Sequence, residues 1–183
     1  MSSAAREAIK TSFLRLLEER PLREITVKDI VEDCGVNRNS FYYHFKGIPE
    51  LLEEIVMERS ARLIAEQGPS PTLAGCLEAA AGFALEHRQA VLHINQSAHR
   101  EMFEQCLLDV CRRAILNYVE PLFHSLDPED RDVLVRFFQC ELFGQIMEWL
   151  NAGTRYDLQE QFRRLCRLGE GMTELFLKNA GEK

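Results

Sequence analysis

Apolar residues recur every third or fourth position along almost the whole chain, and no run of four or more residues alternates convincingly as a strand would. The pattern predicts an all-α protein. The first helix, about Ala4 to Glu19, puts Ile9, Phe13, Leu16 and Leu17 on one stripe and must stop before Pro21, whose ring removes a backbone donor. Thr26 stands three residues before Asp29, a hydroxyl and a carboxylate spaced to cap each other's backbone. Val27, Ile30, Val31 and Cys34 then make one apolar face, and Gly35 ends this short second helix. Asn37 is placed to cap a third helix over Arg38 to Phe45. After Lys46-Gly47-Ile48-Pro49 a fourth helix, 49–66, is expected.

The segment Gln67-Gly68-Pro69-Ser70-Pro71-Thr72 is the clearest break, and Thr72 can cap the next helix. Beyond it the spacing predicts helices at about 73–87, 89–96, 98–119, 128–151 and 157–179, separated by Pro121, Asp127-Pro128 and Asn151-Ala152-Gly153. The helix at 128–151 is apolar around most of its circumference, with Phe137, Phe138, Leu142, Phe143, Met147 and Trp149 among its residues, so it must be covered on two sides.

Composition narrows the class. The chain of 183 residues is 46% hydrophobic, enough for one or two packed domains. No apolar run approaches the roughly 18 residues that span a bilayer, and Met1 to Lys10 lacks the apolar core of a secretory signal, so a cytoplasmic protein is expected, with no membrane partner. The six cysteines contain no C-x-x-C pair and no histidine at zinc-finger spacing; they read as small core residues, and no metal or other cofactor is expected. A net charge of −7 argues against a protein that coats nucleic acid by charge alone. Any such binding needs a local patch.

One is present. Although 29 of 183 residues are acidic, the stretch from Cys34 to Pro49 holds no Asp or Glu, while it carries Arg38, His44 and Lys46. The two short helices joined by Cys34-Gly35-Val36 read as a helix-turn-helix, in which glycine permits the tight reversal. Phe41 and Phe45, four apart, point to the core and leave Asn39, Ser40 and Tyr43 on the opposite face. Arg38, Asn39 and Ser40 sit at the helix start, where a major groove would receive side chains that read base edges. Tyr42, His44 and Lys46 can reach phosphates, and Thr26 with Lys28 holds another backbone-anchoring position.

The stretch 25–46, ITVKDIVEDCGVNRNSFYYHFK, resembles the DNA-binding signature of the tetracycline-repressor (TetR) family, through the core G-V-x-x-x-x-hydrophobic-Y-x-H-F. The resemblance covers about Ala4 to Ile55. It implies a dimeric, ligand-responsive transcriptional regulator, usually a repressor, on double-stranded operator DNA. By the same resemblance Lys28, Arg38, Asn39, Ser40 and Tyr43 face bases, while Thr26, Tyr42, His44 and Lys46 hold the backbone. The domains would be a three-helix DNA-binding domain, 1–47, and a helical regulatory and dimerisation domain, 48–183, connected by the fourth helix. One departure matters: the family pattern F-x-x-K-x-x-L has lysine where this chain has Ile48, and Lys46 is the residue left to supply that phosphate contact.

The resemblance also implies an inducer site and a homodimer seam in the C-terminal half. Phe83, His87, His93, Met102, Cys140, Phe143 and Met147 have the composition of a pocket for a small apolar inducer. Phe138, Leu142, Phe162, Leu165 and Gly169 lie on the two helices with surplus apolar surface, and a four-helix bundle across a two-fold axis would bury it. Two other classes are an all-helical enzyme, for which no di-iron, zinc-protease or phosphate-loop motif is found, and a helical adaptor that uses the same two-helix face to bind protein.

Overall fold

The computed structural model of the protein describes residues 2–65 and 73–181. Among them are ten α-helices and no strand: α1 (Ser2–Glu19), α2 (Val27–Cys34), α3 (Arg38–His44), α4 (Ile48–Ala65), α5 (Leu73–Glu86), α6 (Arg88–Asn95), α7 (Arg100–Tyr118), α8 (Pro128–Asn151), α9 (Leu158–Leu168) and α10 (Met172–Gly181). The break expected over Gln67–Thr72, with its Thr72 cap, lies outside the described residues.

The helices form two compact units: residues 1–59 with 84–106, and residues 60–83 with 107–183. This partition differs from the expected boundary after residue 47. The start of α4, all of α6 and the first part of α7 belong with the N-terminal helices.

In the first unit the predicted stripe of α1 is the core: Ile9, Phe13 and Leu17 are fully buried, and Ile30, Phe41, Leu51 and Leu52 pack in the same core. Pro21 ends α1 as expected, and a 3-10 turn at Leu22–Glu24 leads to α2. Pro21 also leaves the carbonyl of Leu17 without its helical donor, the N–H four residues on. His93 of α6 supplies one, its Nδ1 lying 2.8 Å from that oxygen. Nearby, His87 Nδ1 lies 3.0 Å from Glu18 Oε1. Two imidazoles therefore tie α6 to the C-terminal turn of α1.

The second unit is built on Cys111, Ile115, Phe123, Leu142, Trp149, Leu158 and Phe162, all buried. Pro128 starts α8 behind an Asp127 cap, and Gly153, at φ 70°, turns the chain away at its end. Phe176 reaches back to Phe123 and Phe138, with ring centroids 6.2 Å apart in both cases.

The single helix expected over 157–179 is two. The N–H of Gly169 closes on the carbonyl of Leu165 at 2.8 Å, and Gly171 takes a left-handed φ of 85°, which a side chain resists by roughly 1–2 kcal/mol. The stripe Phe162, Leu165, Cys166, Gly169, Met172, Phe176 is therefore interrupted. Gly169 is small for the sake of this turn rather than for a neighbouring helix, since a Cβ there would stand 3.2 Å from the Leu165 carbonyl and 3.3 Å from the Met172 sulfur.

Candidate nucleic-acid interface

The helix-turn-helix is α2, Gly35 and α3. Ile30 and Val31 hold α2 in the core, where the Ser12 hydroxyl also donates to the Ile30 carbonyl at 3.2 Å. Gly35 takes φ 71°, the left-handed conformation that lets the chain reverse without strain. Asn37 caps α3, its side-chain oxygen accepting the N–H of Ser40 at 2.8 Å. Phe41 and Phe45 pin α3 from beneath, almost completely buried and in tilted contact at 5.8 Å, with the Arg6 guanidinium 5.6 Å over the Phe45 ring.

That anchoring fixes what α3 shows. Arg38, Asn39 and Lys46 are exposed, Tyr42 is 54% and Tyr43 79% exposed, and Ser40 and His44 are half-buried. A tyrosine nearly four-fifths in solvent is an unusual outcome for a large amphipathic ring, which usually keeps its apolar body covered. Tyr43 is braced edge-on against His44 at 5.0 Å, and Tyr42 edge-on against Phe41 at 5.4 Å. Among the described residues no ion pair engages the side chain of Arg38 or Lys46.

The carboxylates that border this face are neutralised from within the unit. Asp33 pairs with Arg15, Glu32 lies 3.7 Å from Lys28, and Asp29 lies 3.3 Å from Arg20. Asp29 also accepts the hydroxyl and the N–H of Thr26, at 2.6 and 2.8 Å, and returns its own N–H to the threonine oxygen. The expected cap is thus complete, and the Thr26 hydrogen bonds, with Arg20 behind them, lower the Asp29 carboxyl to about 2. Both donors of Thr26 are committed to this cap, so a phosphate would have to displace Asp29 to use them. Lys28, exposed two residues further on, has the free reach that Thr26 lacks.

Behind the face, α4 is held to α1 by charge. Lys10, only 8% exposed, meets Glu7 at 3.1 Å, Glu54 at 2.8 Å and also Glu58, while Arg6 pairs with Glu54. Burial by itself would lower the Lys10 ammonium; the three carboxylates outweigh it and hold it above its ordinary value. Burial likewise pushes Glu54 up, and its bonds from Arg6 and Lys10 bring it below the usual carboxylate range. This cluster could not be read from spacing, because its partners are 48 residues apart.

Residues 14–55 match the family model described as bacterial regulatory proteins, tetR family, and residues 73–171, more than half of the chain, match a TetR-type model described as transcriptional regulator C-terminal region. The chain belongs to the TetR family of transcriptional regulators. It is 24% identical over 168 residues to YxbF of Bacillus subtilis (strain 168), an uncharacterised HTH-type transcriptional regulator, covering 82% of this chain and 41% of that protein. The chain thus spans about two fifths of that relative's length. Among solved structures it resembles DhaS, named an activator of a dihydroxyacetone kinase operon, at a TM-score of 0.75 and 18% identity, over 94% of this chain and 97% of that one. A TetR regulator of Streptococcus agalactiae 2603V gives 0.61 at 20% identity, over 91% and 94%. NalD, a secondary repressor of a multidrug efflux pump in Pseudomonas aeruginosa, gives 0.53 at 18%, over 90% and 94%. At such identities the likeness is one of fold.

For a TetR-family chain the remaining expected sites are distributed unevenly. Of the seven pocket residues, His87, His93 and Met102 belong to the first unit and Phe83, Cys140, Phe143 and Met147 to the second. Neither unit gathers the set, and the two histidines face α1. Two surface depressions in the second unit, about 420 and 690 Å³, are lined by other residues, among them Leu116 and Arg131 in one and Ser125 and Leu177 in the other. Of the five seam residues, Leu142 and Phe162 are buried inside the chain itself, Phe138 is half-buried against Phe123 and Phe176, and Leu165 is exposed. The apolar surface left to a partner is at Val133 and Phe137 on α8 and Leu165, Leu168, Met172 and Leu175 on α9 and α10. Among the described residues no group of three or more His, Cys, Asp or Glu side chains is placed to hold a metal ion, and no helix is long and apolar enough to cross a membrane.

Proposed function

We propose that this protein binds a near-palindromic operator as a homodimer and represses by occupying it, with α3 in the major groove. The observation that carries the reading is the face of α3: Arg38, Asn39 and Tyr43 stand exposed over a buried Phe41–Phe45 anchor, inside a segment without carboxylates and beside acidic residues that already have cationic partners. In this reading Arg38, Asn39 and Ser40 read base edges with Lys28 and Tyr43, and Tyr42, His44 and Lys46 grip the backbone. A single seven-residue helix reads few base pairs, so useful specificity needs two half-sites and hence two copies. The test is selection of bound fragments from random duplex DNA, followed by a salt titration on the winner. We expect a sequence with two-fold symmetry whose affinity falls steeply as salt rises. Selection that enriches nothing, together with binding of a protein partner that salt leaves unchanged, would favour the adaptor reading.

We infer that a small apolar effector releases the operator by moving α6, which His87 and His93 join to the last turn of α1, the helix that carries the core of the reading unit. Coupling of about 1–3 kcal/mol would change operator affinity 5- to 150-fold, and it is reciprocal. An effector titrated with and without operator must therefore bind with different affinities. Equal affinities remove a compound from consideration.

A further inference from the structure

The acid-free stretch of the reading face ends at Glu50, in the first turn of α4. A carboxylate at that point would be expected to repel the phosphates that the preceding residues are placed to meet. The structure gives it another task. Glu50 Oε2 accepts the backbone N–H of Lys46, across the turn that joins α3 to α4. Around that bond the chain has little else to fix it: Phe45 is extended, Gly47 carries no side chain, Pro49 offers no N–H, and the one backbone bond closing the turn runs from Leu51 N–H to the Gly47 carbonyl at 3.2 Å. Gly47 tolerates many backbone conformations, so without a tether the Lys46 side chain would sample many directions.

We propose that Glu50 is a positioning residue for DNA binding: by holding the Lys46 N–H it aims the Lys46 ammonium at a backbone phosphate. This rests on the reading that α3 and its flanks face DNA. It also accounts for Ile48. A lysine at the start of α4 would be carried by the helix itself, whereas a lysine two residues earlier, in the turn, needs the turn to be fixed. Glu50 is suited to that, since the first turn of an 18-residue helix favours a carboxylate and keeps it ionised. The bond uses one carboxylate oxygen as acceptor only, so a neutral amide of the same shape can replace it.

The experiment compares the full-length wild type with K46A, E50A, E50Q and the double variant K46A/E50A on the selected operator and on a random duplex, measuring affinity across a salt series. K46A is expected to weaken binding several-fold on both duplexes and to flatten the slope of log affinity against log salt by about 0.9, the value of one phosphate contact. E50A is expected to do the same, E50Q to restore the wild-type slope, and the double variant to match K46A alone. Thermal unfolding run alongside separates this from loss of α4, because a variant that is merely less stable keeps its slope at temperatures where it is folded. If E50A tightens binding, the carboxylate acts by repulsion and the proposal is wrong. If E50A leaves the slope unchanged while K46A flattens it, positioning by Glu50 is also wrong. Should K46A, R38A and Y43A all leave binding untouched, the DNA-facing reading itself fails, a result distinct from failure of the Glu50 role alone.

Discussion

Arg38 and Asn39 owe their position to two phenylalanines that are not on their side of the helix. Phe41 and Phe45 are fixed in the core, so the first turn of α3 cannot roll, and side chains that do not touch the core still hold a defined direction. Removing Arg38 or Asn39 should leave that frame intact. Arg38→Ala or Asn39→Ala is expected to cost about 1–3 kcal/mol on the operator and to relax base preference at one position in each half-site, as a lost base contact does. Selection repeated with each variant checks this, and equal losses on operator and random DNA would contradict the assignment. Asp29 makes a second, independent prediction. Its folded carboxyl titrates at about 2, held there by Thr26 and then Arg20, whereas a free aspartate titrates near 3.9. A depressed value means that the cap stabilises the fold fully above pH about 4 and that this contribution is lost as pH falls toward about 2. Asp29→Asn should therefore unfold more easily than wild type at pH 6, and the gap should narrow by pH 3. A gap that stays constant across this range would show that ionised Asp29 contributes nothing.

At the scale of elements, the join between α6 and α1 shows what sequence pattern conveys and what it does not. Pro21 marks the end of α1 in the sequence itself, because a proline can be read one residue at a time. That Pro21 also strands the Leu17 carbonyl comes from the same rule, but the donor that answers it, His93, is 76 residues away, and nothing local distinguishes it from a pocket histidine. His93→Leu should leave that carbonyl unpaired at about 1–3 kcal/mol, seen as a lower melting temperature and faster amide exchange in α6 and the last turn of α1. Exchange confined to the second unit would show that the contact is unimportant. The same contrast runs through the reading face. The capping box of α2, the Asn37 cap and the Phe41–Phe45 anchor are all spaced within four residues, and each is legible in the sequence. The Lys10 cluster and the Arg15–Asp33 pair depend on how helices cross, which periodicity does not encode. The break at Gly169–Gly171 is intermediate: two glycines signal it, yet the apolar spacing on either side is continuous and argues for one helix.

For the whole molecule the decisive quantity is how much apolar surface a single chain leaves uncovered. Periodicity marks Phe138, Leu142 and Phe162 as apolar faces that need cover, but the chain covers Leu142 and Phe162 itself. A charge placed at Phe162 would be buried without a partner and would unfold the second unit, so loss of dimer in such a variant would say nothing about a seam. Phe137, 51% exposed, and Leu168, 85% exposed, are different. Each keeps its fold-side neighbours if replaced, while the exposed part is the part a second copy would bury, and two copies burying the same patch give the two-fold symmetry that a palindromic operator requires. Phe137→Glu and Leu168→Glu are therefore expected to melt within a few degrees of wild type, to sediment as monomers at concentrations where wild type is a dimer, and to bind the operator far more weakly while binding a single half-site unchanged. The half-site measurement carries the argument, because it separates loss of the partner from damage to α3. If Leu168→Glu remains dimeric and keeps full operator affinity, the partner surface lies elsewhere on the chain, and the exposed leucines of α9 and α10 need another occupant.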